Sequence, residues 1–356
     1  MRPSYESARP LSVVIAMGLC LAAGPLAGQS GRTVTKLADG VYAIEHGRGE
    51  GGNTTVIIGD RQVFVVDGCF LPSAAREDIQ QIRQWTNKPV TFLLNTHFHN
   101  DHNIGNRTYM EAFPALTIIA EVETKKDMDM FGPGSERREQ EDLATLQQMA
   151  ATGRNADSTP LSADDMAKVK RVLPEHQATT DALKGLAFQS ATLTFDHDFT
   201  IDLGGREVQV KFLGRANTNG DAVVYLPRER IVATGDIVVH PTPYVSDGYP
   251  TEWIQTLDKL GALDATTIVP GHGTIMHDKT YIYLLRDFFQ SAVDQLNARL
   301  RRSRPAMFQS VDDVKGAIDL TPFRQRFAGN DKAVANQFDY MAQSLVKLVF
   351  EEASLR

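Results

Sequence analysis

A chain of 356 residues, with 42% hydrophobic and 23% charged residues, is long enough to bury a substantial core unaided. Its net charge is −7, with no basic run or stripe, which argues against a nucleic-acid partner. Two cysteines, Cys20 and Cys69, cannot make the disulfide framework of a small secreted scaffold.

The N-terminus departs from the rest. Arg2 and Arg9 precede the apolar run LSVVIAMGLCLAA (11–23), followed by Pro25 and the small-residue stretch LAGQS. A basic start, a short apolar centre and small residues describe a secretory signal peptide over residues 1–28, with mature protein starting near Gln29. The apolar run is too short for a membrane span and Pro25 breaks it, so no stable span is expected once the signal is removed. Periplasmic or secreted residence follows as an expectation. Cys69 would then be the sole cysteine, in VFVVDGCFLP, where it reads as a buried small hydrophobe.

From residue 33 to about 70, short β-branched runs (GVYAIEHG, NTTVIIGD, QVFVVDG) separated by Gly, Asp and Asn predict consecutive antiparallel strands. SAAREDIQQIRQWTN (73–87) has apolar residues at helical spacing, and VTFLLNT is a buried strand. After the short run ALTIIAE, residues from about 121 to 187 lack strand signals and predict a helical insertion, its second long helix capped by Ser162 with Asp165 three positions on. Strands resume at ATLTFDHDFTIDLGGREVQVKFLG and continue through AVVYLP and RIVATGDIVV. TEWIQTLDKLGAL then reads as helix, TTIVPGHG as a buried strand, and the remainder from Lys279 as mostly helix.

NTHFHNDHNIGN (95–106), directly after VTFLL, places His97, His99, Asp101 and His102 within six positions. Residues two apart on an extended segment project to one side, as two ligands of one ion require. Asp101 and His102 follow a turn and face elsewhere, so the pattern suits two neighbouring cations. Zinc takes imidazole nitrogen and carboxylate oxygen, usually with three protein ligands in a catalytic site. Downstream, Asp236 closes IVATGD and His272 closes TIVPGHG, with Gly235, Gly271 and Gly273 free to turn the backbone tightly.

In THFHNDH, TGD and PGHG, taken in order, the chain resembles the metallo-β-lactamase-fold hydrolases over roughly residues 33–300, leaving 301–356 as a C-terminal helical extension. The resemblance implies an α/β fold, a four-layer αββα sandwich with metals at the edge where strands end and with the insertion added. It implies a first metal on His97 and His99, a second on Asp101, His102 and His272, and Asp236 between them. Asp67, in VVDG, resembles the family's early strand-end aspartate, usually structural. One position departs: in GRANTNGDAVVYLP, Asn217 stands where the first site's third histidine is expected. An amide oxygen is a weaker zinc donor than imidazole, so one tightly bound Zn2+ is expected, with a second held weakly through Asn217 or not at all.

The leading reading is an exported zinc-dependent hydrolase acting on a small-molecule carboxylic ester, thioester, lactone or amide, β-lactams included. Metal-activated water is the nucleophile, with Asp101 holding metal and orienting that nucleophile. Two readings rival it: an iron-dependent oxidoreductase of the same fold, against which Asn217 counts, and a non-catalytic protein with a degenerate first site. His240 and Tyr244, in IVVHPTPY, are candidates for a substrate pocket, with a packed loop histidine as the alternative for His240. FDHDF (195–199) reads as a solvated strand, and His46, His176 and His277 as structural or surface residues.

Overall fold

The computed structural model describes residues 31–47, 50–302 and 318–354, together with 311, 314 and 316. The signal-peptide segment 1–28 lies outside the described residues. Two sheets hold the chain. The first has seven strands in sequence order: β1 (Thr33–Ala38), β2 (Val41–Glu45), β3 (Thr54–Ile58), β4 (Val63–Val66), β5 (Val90–Leu94), β6 (Thr117–Glu121) and β7 (Leu193–Phe195). Pairing is antiparallel from β1 to β4 and parallel from β4 to β7. The second has five strands in the order β12-β11-β10-β9-β8, formed by β8 (Phe199–Asp202), β9 (Glu207–Phe212), β10 (Ala222–Leu226), β11 (Ile231–Ala233) and β12 (Thr267–Val269).

Side-chain alternation explains the layering. In β4, Phe64 and Val66 face the second sheet while Val63 and Val65 face outward onto helices, so all four residues are buried. In β10, Val224 and Leu226 face the first sheet and Val223 and Tyr225 face the opposite helices. Outside the first sheet lies α1 (Pro72–Trp85), started by Pro72 and docked through Ala75, Ile79 and Ile82. Two short helices, α2 (Asn100–Asn103) and α3 (Asn106–Ala112), follow β5. Outside the second sheet lie α7 (Pro250–Ala262), α8 (Thr280–Arg302), α9 (Thr321–Ala328) and α10 (Lys332–Ser354). The result is the four-layer αββα sandwich.

Between β6 and β7 the chain forms α4 (Val122–Phe131), α5 (Ser135–Thr152) and α6 (Ala163–Leu183). Ser162 caps α6, its Oγ accepting from Asp165 N at 3.1 Å. The last two helices pair around a small cluster of their own: Leu146, Met149, Val169 and Val172. The C-terminal helices join the largest core cluster, where Phe327 and Phe338 meet Phe288 of α8.

Three strand readings need correction. Within FDHDF, Phe195 ends β7 and Phe199 starts β8, and Asp196–Asp198 form an exposed bend carrying the chain from the first sheet to the second, with His197 paired to Asp196 at 2.7 Å. The strand in RIVATGDIVV ends at Ala233, because Gly235 adopts φ +51° and a 3-10 turn (Gly235–Ile237) follows. β5 ends at Leu94, so His97 sits in a bend (96–98) instead of on a continuous extended segment, and His99 returns to extended backbone as the residue that starts α2.

Candidate metal centre

Where β5 ends, the chain crosses the edge of the sandwich under tight control. Thr96 N donates to Asp67 Oδ1 at 2.8 Å, and Ala222 N donates to Thr96 O at 2.8 Å, tying the histidine-rich segment to both sheets. Asp67 has φ 61°, a left-handed conformation that turns its carboxylate back onto that segment. His99 is the N-cap residue of α2, and Asp101 and His102 lie within that helix. Asp236 follows β11 in the 3-10 turn. His272 lies beyond β12 on a loop clamped by Asn53, whose Nδ2 donates to Pro270 O at 3.0 Å and Gly273 O at 2.9 Å. Gly271 leaves the space that Asp236 needs, since a Cβ there would lie 2.0 Å from Asp236 Oδ1.

These elements converge. His97, His99 and Asp236 form one group and Asp101, His102 and His272 another, each with its ligating atoms within 4.8 Å of one another. Asp236 lies between them: Oδ2 is 3.7 Å from His97 Nε2, and Oδ1 is 3.3 Å from His102 Nε2 and 3.7 Å from His272 Nε2. Asp101 Oδ2 is 2.9 Å from His272 Nε2. Asn217, fully buried, puts its amide nitrogen 3.5 Å from His99 Nδ1 and leaves Oδ1 without a hydrogen bond. Rotating that amide by half a turn presents the oxygen instead.

Two histidines have their tautomers fixed from behind. Asp67 Oδ2 accepts from Thr96 Oγ1 at 2.8 Å, so the hydroxyl is left to accept from His97 Nδ1 at 3.0 Å. The same carboxylate oxygen accepts from His102 Nδ1 at 2.9 Å. Both Nε2 atoms therefore face the centre, as ligation requires. Asp67 acts on two imidazoles at once, more than the strand-end role the resemblance suggests.

The electrostatics ask for positive charge. Burial pushes the Asp236 carboxyl up, but His272, His102 and His97 outweigh it and hold the group below the carboxylate range. Burial is likewise overcome at Asp101, which His102, His272 and His99 hold well below its ordinary value. Burial disfavours charge on His102, yet Asp101, Asp236 and Asp67 raise it well above the usual imidazole value. Burial keeps His97 well below that value, so its ring is neutral. His97 Nε2 faces His99 Nδ1 at 3.0 Å and His102 Nε2 faces His272 Nε2 at 3.3 Å, so a proton or a cation must separate each pair of nitrogens. Asp236 Oδ1 is buried without a hydrogen bond. The donor set of imidazole and carboxylate fits zinc, with protons holding the places that a metal would take.

Among the other candidates, Tyr244 stands edge-on to His99 with ring centroids 5.7 Å apart, whereas the His240 ring packs against Tyr281 at 5.1 Å. His176 pairs with Glu139 at 2.7 Å in the insertion, and His277 is exposed. A third group, His46, Cys69 and Asp78, has metal-ligand composition, but its carboxylate is already engaged. Arg32 donates twice to Asp78 Oδ1 (2.8 and 3.2 Å), and His46 Nε2 lies 3.2 Å from Oδ2. Burial and the nearby carboxylates Asp78 and Glu50 push the Cys69 thiol well up, opposing the thiolate that a metal needs. Sequence reasoning missed Thr96 and Asp247, whose Oδ2 lies 3.7 Å from His99 Nε2. SDGYP looks like any polar turn.

The family model for the metallo-beta-lactamase superfamily matches residues 47–272, a span that includes every residue of both groups. The chain belongs to this superfamily. Within it, the chain is 33% identical over 104 residues to a type 2 metallo-beta-lactamase of Bacteroides fragilis (28% of this chain, 42% of the relative). It is 24% identical over 231 residues to a linear primary-alkylsulfatase of a Pseudomonas species (59% of this chain, 39% of the relative). The chain thus spans less than half the length of these curated superfamily relatives. Among solved structures, a metallo-beta-lactamase from Pontibacter korlensis superposes with a TM-score of 0.50 at 16% identity, covering 73% of this chain and 99% of that one. The sec-alkyl sulfatase PisA1, as a double mutant, gives 0.59 at 13% identity, covering 90% of this chain and 50% of that one. At these identities the superpositions speak for the superfamily fold alone.

Proposed function

We propose that this protein is an exported zinc-dependent hydrolase that uses metal-activated water on a small-molecule carboxylic ester, thioester, lactone or amide, β-lactams included. The observation that carries this reading is the pair of three-residue groups meeting at Asp236. His97, His99 and Asp236 would hold one cation, and Asp101, His102 and His272 a second, with Asp236 shared. Such a cation lowers the pKa of water toward neutrality and polarises a carbonyl. The chain's own contribution is orientation. Asp67 and Thr96 lock the two imidazoles, and the burial of His97 and His102 keeps bulk water from their nitrogens. Asp101 would both hold the second cation and orient the attacking water through its carboxylate. Export rests on the basic, apolar and small-residue order of residues 1–28. Among the described residues, no helix is long and apolar enough to cross a membrane.

A second reading is favoured by one observation. A curated relative matched over 231 residues is named an alkylsulfatase, so alkyl sulfate esters belong on the substrate panel. Purified protein, analysed for metal, is assayed against nitrocefin, acyl thioesters, lactones, phosphodiesters and alkyl sulfates. Asp101→Ala and His272→Ala should each lower the activity found by about 10²-fold or more, while His197→Ala leaves it unchanged. Full activity in a folded Asp101→Ala protein would sink the mechanism.

A further inference from the structure

Three imidazoles of the histidine-rich segment face the centre, and two have their outer nitrogens held by Asp67, directly or through Thr96. The third, His99, turns Nδ1 inward, 3.0 Å from His97 Nε2, and buries Nε2 without a hydrogen bond. The carboxylate of Asp247 stands 3.7 Å from that nitrogen, within ion-pair reach and roughly 0.7 Å beyond an ordinary hydrogen bond.

The neighbourhood shows that this placement is built in. Asp247 lies two residues before Tyr249, whose backbone N donates to Ala216 O at 2.8 Å. The Arg215 guanidinium covers the Tyr249 ring at 4.1 Å, and the Tyr249 hydroxyl bonds to Asn219 Oδ1. Val245, at 2% exposure, anchors the other side of Asp247 in the largest core cluster. The loop bearing Asp247 is therefore fastened to the turn bearing Asn217, at three residues of that turn and its approach. The Asn217 amide stands beside the first of the two groups, and Asp247 reaches a histidine of that same group.

We propose that Asp247 is a positioning residue for the first metal site: it holds His99 with Nε2 protonated and Nδ1 presented to the cation, offsetting the imidazole missing at position 217. The inference rests on the metal-binding reading above. A carboxylate behind a ligating imidazole fixes its tautomer and strengthens it as a donor, and losing such a partner costs about 10–100-fold in metal affinity.

Zinc is titrated into metal-depleted full-length protein against a chromophoric chelator, in the parent and in Asn217→His, each with and without Asp247→Ala. Asp247→Ala should weaken the looser zinc equivalent at least tenfold and leave the tighter one unchanged. Asp247→Asn, whose amide oxygen still accepts from Nε2, should recover part of the loss. Nitrogen-15 spectra of the zinc-loaded Asn217→His protein should show His99 protonated at Nε2, and a mixture once Asp247 is replaced by alanine. Equal weakening of both equivalents would mean general damage and would overturn the proposal, as would no weakening of either. A second equivalent absent from both backgrounds would also overturn it, while one retained zinc would leave the proposed function standing. No zinc bound at all would defeat both.

Discussion

At position 217 an amide occupies a fully buried place beside His99, with its oxygen unpartnered. Imidazole is the better donor for a borderline-soft cation, so Asn217→His should raise zinc retained after dialysis against a mild chelator from about one equivalent toward two. Metal content by mass spectrometry reads this directly, and two equally retained zincs in the parent would count against the weak first site. The turn that carries Asn217 is held by Asp221, whose Oδ2 accepts from Ala216 N at 3.1 Å and Thr218 N at 2.7 Å. Burial raises the Asp221 carboxyl to about 6. Its folded pKa lies above the unfolded one, so metal-free folded protein binds more protons between about pH 4 and 6. Stability falls as pH rises through that window, by about 2–3 kcal/mol from this group alone. Urea melts of the metal-free protein should show Asp221→Asn gaining on the parent by about that much from pH 4.5 to 7, and a pH-independent difference would refute it. The six residues of the two groups were legible in the sequence because they sit in short motifs where strands end. Asp247 was not: only the folding of a distant loop brings it to His99, and no local pattern marks it.

Elements were legible wherever periodicity was long. The antiparallel run β2 to β4, α1 with its apolar face, and the two long insertion helices all follow their sequence patterns. Strand ends were less so, because positive φ at Gly235 and the bend at 196–198 act over one to three residues. The pair α5 and α6 buries its own four-residue cluster apart from the sandwich cores. Such a unit opens locally before the whole protein unfolds. Leu146→Ala, removing a fully buried side chain from that cluster, should cost the hairpin about 2–5 kcal/mol. The expected outcome is faster tryptic cleavage at Arg154, in the loop between the two helices, with the main thermal transition nearly unchanged. A fall in the main transition with no change in cleavage would show that the hairpin and sandwich unfold together.

At the scale of the molecule, the sequence reading set residues 301–356 apart as an extension, and their helices share the largest core with α7 and α8. Phe338, at 2% exposure, touches Phe288 and Phe327. Phe338→Ala should therefore lower global stability by about 3–5 kcal/mol, seen as a shift of the single main melting transition. A separate early transition would instead mark the C-terminal helices as an independent unit. The centre itself straddles the two sheets. His97, His99, Asp101 and His102 come from the first half of the chain, Asp236 and His272 from the second, and the exposed bend at 196–198 joins the halves. Neither half owns a complete set of donors. A nascent or damaged chain with one sheet formed and the other not would present neither group whole, so under the proposed function a metal ion held by both groups would report that both halves have been assembled.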